Sequence, residues 1–220
     1  DVGVVLSQGL FNYSSIMVRK QLSGNVILGT TTKSSSDGRV FIQSADKGTQ
    51  IVVGPQTAAL PPNTKLQLTG GDSALPNGFG ANVTFNQPFA GVVNIPGINT
   101  GAFLFNRGVA AAGRLNASGF SDVTVKGDFA GIINSLSPND DVNSNVSLSV
   151  SRNVRGTARI NGTDNVSLAV GGSVLSGAVI TASGFVAVFW VALALQGVTV
   201  LLVLAFLGRR RRPDPGPVAP

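Results

Sequence analysis

Apolar residues recur at regular intervals along the second half of the chain. Asn145-Val-Ser-Leu-Ser-Val and Asn165-Val-Ser-Leu-Ala-Val are near-copies, one repeat of about 20 residues apart. The same spacing extends backwards, with one insertion at 137–141, to give five units between residues 76 and 180. Three columns emerge: Val83, Phe103, Val123, Leu148, Leu168; then Phe85, Phe105, Val125, Val150, Val170; then Phe89, Val109, Phe129, Val154, Val174. Every member is apolar. A fourth column, Gly91, Ala111, Gly131, Gly156, Ser176, holds small residues only.

Each unit predicts a short strand, a tight turn and a second strand. The turns are Asn86-Gln87-Pro88, Asn106-Arg107-Gly108, Lys126-Gly127-Asp128, Ser151-Arg152-Asn153 and Gly171-Gly172-Ser173. They are rich in Gly and Asn, which accept backbone conformations that strands exclude. Within the strands the apolar positions alternate, as in Phe89, Gly91, Val93, Ile95, so one face is buried and the other wet. The expected class is an all-β domain. Two architectures fit the repeat: a β-solenoid, with each unit one coil of a parallel β-helix, and an antiparallel sandwich or meander built from hairpins. Near-identical residues at one position favour the solenoid, with the small column at a tight corner. The pattern is loosely similar to β-helical surface and adhesin repeats as a class, and it carries no family signature.

Residues 1–75 do not keep this register. Short alternating runs at Val26-Ile27-Leu28, Val40-Phe41-Ile42, Ile51-Val52-Val53 and Leu66-Gln67-Leu68 predict strands of a less regular cap or subdomain. The breaks fall at Pro61-Pro62-Asn63 and Gly70-Gly71-Asp72.

At the other end, residues 185–207 form one unbroken run without charge. As a helix it is about 34 Å long, enough for a hydrocarbon core of roughly 30 Å. One C-terminal transmembrane helix is therefore expected within 181–207. Arg209, Arg210, Arg211 and Arg212 follow, and Pro-rich sequence completes a basic tail at 208–220. Basic residues stay on the cytoplasmic side, which places residues 1–180 outside or in a lumen. The opposite arrangement, a tail anchor with a cytosolic N-terminal domain, fits the short tail as well. The N-terminal residues contain no basic start followed by an apolar run, so a secretory signal, if the protein is made with one, is expected to have been removed.

Six Asn-x-Ser/Thr sequons precede the span, at Asn12, Asn82, Asn116, Asn145, Asn161 and Asn165. They favour the outward placement of this region. Asn116 and Asn161 are expected at equivalent turn positions, and Asn145 and Asn165 just before strands. Gln196 and Gly197 sit at the centre of the span, where an amide favours a partner helix.

Composition narrows the chemistry. The chain has no Cys, no His and no Glu. Charged residues are 12%, about half the usual share. The formal charge of +6 divides evenly: four tail arginines against Asp214 give +3, and twelve basic residues against nine Asp give +3 before the tail. No basic–aromatic cluster points to nucleic acid. The His and Cys ligands that transition-metal sites favour are missing, and no metal site or cofactor is expected.

Asp140 to Asn145 offers oxygens at alternate positions but lacks the Gly and distal acid of a calcium loop. Ser44-Ala-Asp-Lys47 has the spacing of a hydrolase dyad. Asp122 with Asp128, or Asp140 with Asp141, would be the carboxylate pair of a glycosidase. All of these have ordinary turn or loop explanations. The leading expectation is a non-enzymatic, glycosylated, single-pass surface protein with a structural, adhesive or partner-binding role. Its partners would be the bilayer and a protein or glycan ligand. The alternatives are a membrane-tethered carbohydrate-active enzyme and an accessory subunit recruited through the span.

Overall fold

The computed structural model describes residues 3–7, 14–29, 37–55, 65–71, 78–135, 145–162 and 164–182. The chain divides into a unit of residues 1–185 and a second of 186–220, and only the first contains described residues. Its strands are β1 (Val4–Leu6), β2 (Ser15–Leu22), β3 (Val26–Leu28), β4 (Arg39–Ala45), β5 (Gln50–Val53), β6 (Gln67–Gly70), β7 (Asn82–Phe85) and β8 (Val92–Ile95). The series continues with β9 (Phe103–Phe105), β10 (Arg114–Ala117), β11 (Phe120–Val125), β12 (Ile132–Ser135), β13 (Val146–Val150), β14 (Arg159–Gly162), β15 (Val166–Val170) and β16 (Val179–Ala182).

All pairings among these strands are parallel. Odd-numbered strands form one eight-stranded sheet in sequence order, and even-numbered strands form the other. The protein is a β-solenoid in which each coil gives one strand to each sheet. The antiparallel sandwich and meander are thereby ruled out. The strands β1 to β6, which precede the regular repeats, join the same two sheets as the later ones.

The three apolar columns stack in register. Val83, Phe103, Val123, Leu148 and Leu168 are successive partners, as are Phe85, Phe105, Val125, Val150 and Val170. The third column, Phe89 to Val174, forms single bridges between coils. It stands apart from the second strand of each unit, which begins three to five positions later. Each coil thus wraps one core with two strands and a bridging position between them, and Phe85, Phe89 and Phe105 of neighbouring coils cluster within that core. Turn polar groups stack too: Asn106 Nδ2 donates to Asn86 Oδ1 (2.7 Å), and Asn86 Nδ2 donates to the Gly54 carbonyl (2.9 Å).

The small column differs from the expected one. Arg114, Ile132 and Arg159 donate their N–H groups to the carbonyls of Gly91, Gly113 and Gly131. The stacked residues are therefore Gly91, Gly113, Gly131, Ala158 and Ala178, in place of Gly91, Ala111, Gly131, Gly156 and Ser176. The coils through Val109, Val154 and Val174 carry two more positions before the second strand than the coil through Phe89. Those extra positions bulge outward, leaving Ala111 and Ser176 exposed. An even-numbered addition preserves the inward–outward alternation, so a fixed offset misses the shift.

Candidate binding face

The solenoid's two outer surfaces differ sharply in charge. Strands of the odd sheet contain no Lys or Arg and one acid, Asp122. Strands of the even sheet contain Arg19, Lys20, Arg39, Arg114 and Arg159 and no acid. Parallel register turns this difference into geometry. One outward column runs Ser15, Arg39, Gln67, Val92, Arg114, Ile132, Arg159. Its neighbour runs Met17, Phe41, Thr69, Asn94, Asn116, Asn134, Asn161.

The asparagines of the second column form a ladder. Asn134 Nδ2 donates to Asn116 Oδ1 and Asn161 Nδ2 to Asn134 Oδ1, both at 2.8 Å. A primary amide has two N–H donors and two acceptor lone pairs, so the ladder bonds leave Asn116 and Asn134 with further hydrogen-bonding capacity. At the N-terminal end the column becomes apolar. Met17 and Phe41 are 57% and 38% exposed. With Arg19, Gln43, Thr69, Gly71 and Pro96 they line an open depression of about 680 Å³.

The arginines are held differently. Arg159 donates through Nη1 to the carbonyls of Ala158 (2.8 Å) and Gly177 (2.7 Å), which fixes its charge against the sheet. Arg39 and Arg114 are exposed. The one ion pair among the described residues, Arg155 with Asp128, lies elsewhere, on a corner between the sheets.

That pair accounts for one half of a candidate carboxylate dyad. Asp128 Oδ1 accepts from the Asn153 N–H (3.1 Å) and Asn153 Nδ2 (3.3 Å), and Oδ2 accepts from Arg155 Nε (2.9 Å) and Nη2. The Asn153 backbone bond first, then Arg155, holds the Asp128 carboxyl below its ordinary value. A glycosidase acid requires a raised value instead. Asp122 is exposed on the odd sheet, and Asp140 and Asp141 lie outside the described residues.

A carboxyl with a depressed folded pKa stabilises above its unfolded pKa and loses that contribution as pH falls through the folded value. Asp128→Asn should therefore destabilise by roughly 0.5–1 kcal/mol at neutral pH, as a partly exposed pair allows. Urea melts should show the difference from wild type shrinking as pH drops below about 4.

Ser44 is buried with its hydroxyl on the Gly78 carbonyl (3.1 Å), whereas Lys47 is exposed in the following turn. The two do not form a dyad. Among the described residues no group of three or more His, Cys, Asp or Glu side chains is placed to hold a metal ion.

The sequon asparagines fall in three settings. Asn116 and Asn161 lie within β10 and β14 as rungs of the ladder, a correction to their expected place in turns. The outward side of a solenoid strand is wet, so a polar residue there needs no turn. The Asn116 sequon also uses Ser118, whose buried hydroxyl donates to the Gly97 carbonyl (2.6 Å). Asn82 begins β7 and accepts the Ala102 N–H (3.2 Å). Asn145 and Asn165 precede β13 and β15 as expected, with Asn165 Nδ2 donating to Asn145 Oδ1 (3.2 Å).

Asn12, Gln196, Gly197 and Arg209 to Arg212 lie outside the described residues, as does the whole 185–207 segment. Among the described residues no helix is long and apolar enough to cross a membrane.

Sequence reasoning missed the basic face. Its signal was present as an apolar residue followed by Asn in four units: Val93-Asn94, Leu115-Asn116, Ile133-Asn134 and Ile160-Asn161. No protein-family model matches the chain, and neither a curated protein nor a solved structure matches it.

Proposed function

We propose that the chain is a single-pass surface protein whose β-solenoid stands outside the membrane as a rigid, non-catalytic binding module. The supporting observation is the sorting of strand charge. All five strand cations lie on one sheet, beside an ordered amide ladder, and the opposite sheet has none. A rigid parallel stack holds such a face without further ordering on binding, which favours recognition of an extended partner. The apolar segment at 185–207 and the four arginines after it supply the anchor and its orientation.

The test is protease treatment of intact cells expressing the full chain with a tag after Pro220. The reading predicts digestion of the solenoid region and a protected tag that stays with carbonate-washed membranes. A digested tag, or release of the full chain by carbonate, would refute it. The enzymatic alternative makes a separate demand: Asp122→Asn combined with Asp128→Asn should abolish glycan turnover, a loss not expected here.

Glycan attachment at Asn116 or Asn161 is incompatible with the ladder face as a binding surface, because the sugar would cover it. Peptide mapping of the secretory-pathway product should therefore find glycan at exposed Asn165 and none at Asn116 or Asn161. Occupancy of the latter pair would move the binding role away from this face.

A further inference from the structure

We propose that the outward face of the even sheet is a binding site for an acidic polysaccharide lying along the solenoid axis, across the strands. This deepens the binding-module reading and rests on it for biological context, though not for the chemistry. Three observations converge on one surface.

The first is charge. Arg39, Arg114 and Arg159 share one column. Strands in a sheet lie about 4.8 Å apart, so Arg39 and Arg114, three rungs apart, are separated by about 14 Å. Arg114 and Arg159, two rungs apart, are separated by about 10 Å. A line of cations with no acid on its strands fits a linear polyanion whose negative groups recur along its length. Guanidinium groups also make paired N–H bonds to carboxylate and sulfate oxygens.

The second is the neighbouring amide ladder. Asn116 spends one acceptor site and Asn134 one donor and one acceptor site on the ladder, and the second N–H of Asn134 and the amide N–H groups of Asn116 are left for a ligand. Hydroxyl groups recurring along a sugar chain are the natural complement. A lipid surface or a duplex offers phosphate oxygens to arginine but few hydroxyls to an amide row.

The third is the depression over Met17 and Phe41, where the same column becomes apolar. An exposed ring beside Arg19, Gln43 and Thr69 suits the C–H face of a sugar held at its edge by polar groups. Electrostatics alone gives no reason for Phe41 to stand there.

The experiment uses the full chain, produced without N-glycosylation and kept in non-ionic detergent. Binding is measured to polygalacturonate, neutral dextran, duplex DNA and phosphatidylserine vesicles. Polygalacturonate should bind and dextran should not. Arg39→Glu with Arg114→Glu should weaken polygalacturonate binding at least tenfold with an unchanged melting curve, since both side chains are exposed. Phe41→Ala should weaken polygalacturonate several-fold and leave DNA retention unchanged. Unaltered polygalacturonate binding by the double variant would overturn the proposal and point to the tail arginines, which it retains. DNA or vesicles binding as tightly as polygalacturonate, with Phe41→Ala without effect, would overturn it as a basic surface alone. Failure here with a protected Pro220 tag would leave the anchored-module reading standing. Binding with an exposed tag would remove that reading and keep this one.

Discussion

Phe105→Ala should destabilise the solenoid by about 3–5 kcal/mol, the usual cost of emptying a buried phenylalanine site. Phe105 is fully buried, its ring stacked on Phe85 at 5.1 Å and tilted against Phe89 at 5.3 Å. Phe85 and Phe89 are themselves 4.4 Å apart, so the three rings form one unit spanning neighbouring coils. Losing Phe105 leaves both partners beside a void. Each interior strand is held by a neighbour on either side in its sheet, which limits how far the site can collapse. In a stacked repeat each coil touches only its neighbours, so a central lesion also threatens cooperativity. The denaturation midpoint should fall, and amide exchange should rise first in β7 and β9. Leu104→Ala is the control, because Leu104 points outward from the same strand and is only partly buried. It should cost well under half as much.

The second large effect is expected at the inner corner. A Cβ on Gly91 would overlap the Leu66 carbonyl oxygen and lie 2.8 Å from the Lys65 carbonyl carbon and 2.9 Å from the Leu66 nitrogen. These are backbone atoms of the preceding coil and cannot swing aside. Gly91→Val should therefore cost about 3 kcal/mol, toward the upper end for overpacking. Gly131→Val should behave similarly, since its Cβ would meet the Gly113 carbonyl oxygen at 2.6 Å. Ala111→Val should change stability by less than about 0.5 kcal/mol, as an exposed turn position. Thermal or urea melts of these variants separate the observed corner column from one placed at Ala111.

The contrast between Gly91 and Ala111 also shows what the amino-acid pattern carries. Inward strand positions are legible because a parallel stack repeats the same burial at each rung. Val83, Phe103 and Val123 accordingly recur at equal spacing. The stack continues backwards through Ile51, Val26 and Val4, but there the steps along the chain are longer and no two are alike. Variable loops between strands leave the core unchanged and erase the period. The binding face was harder to see for a related reason. Arg39, Arg114 and Arg159 are far apart in sequence and alternate with Gln67, Val92 and Ile132. Only knowing that every second strand belongs to the same sheet brings them into line.

The aligned face, the amide ladder and the crowded corner all require consecutive repeats to lie in parallel, one rung apart. The absence of cysteine makes that directly measurable with paired spin labels at introduced cysteines. Thr84 and Ser149 are three rungs apart on the odd sheet, and Ile27 and Ser149 are five. Backbone separations of about 14 Å and about 24 Å are predicted, from equal steps of about 4.8 Å. Distances that fail to grow with rung number, or a Thr84–Ser149 separation as long as that of Ile27–Ser149, would contradict the parallel stack.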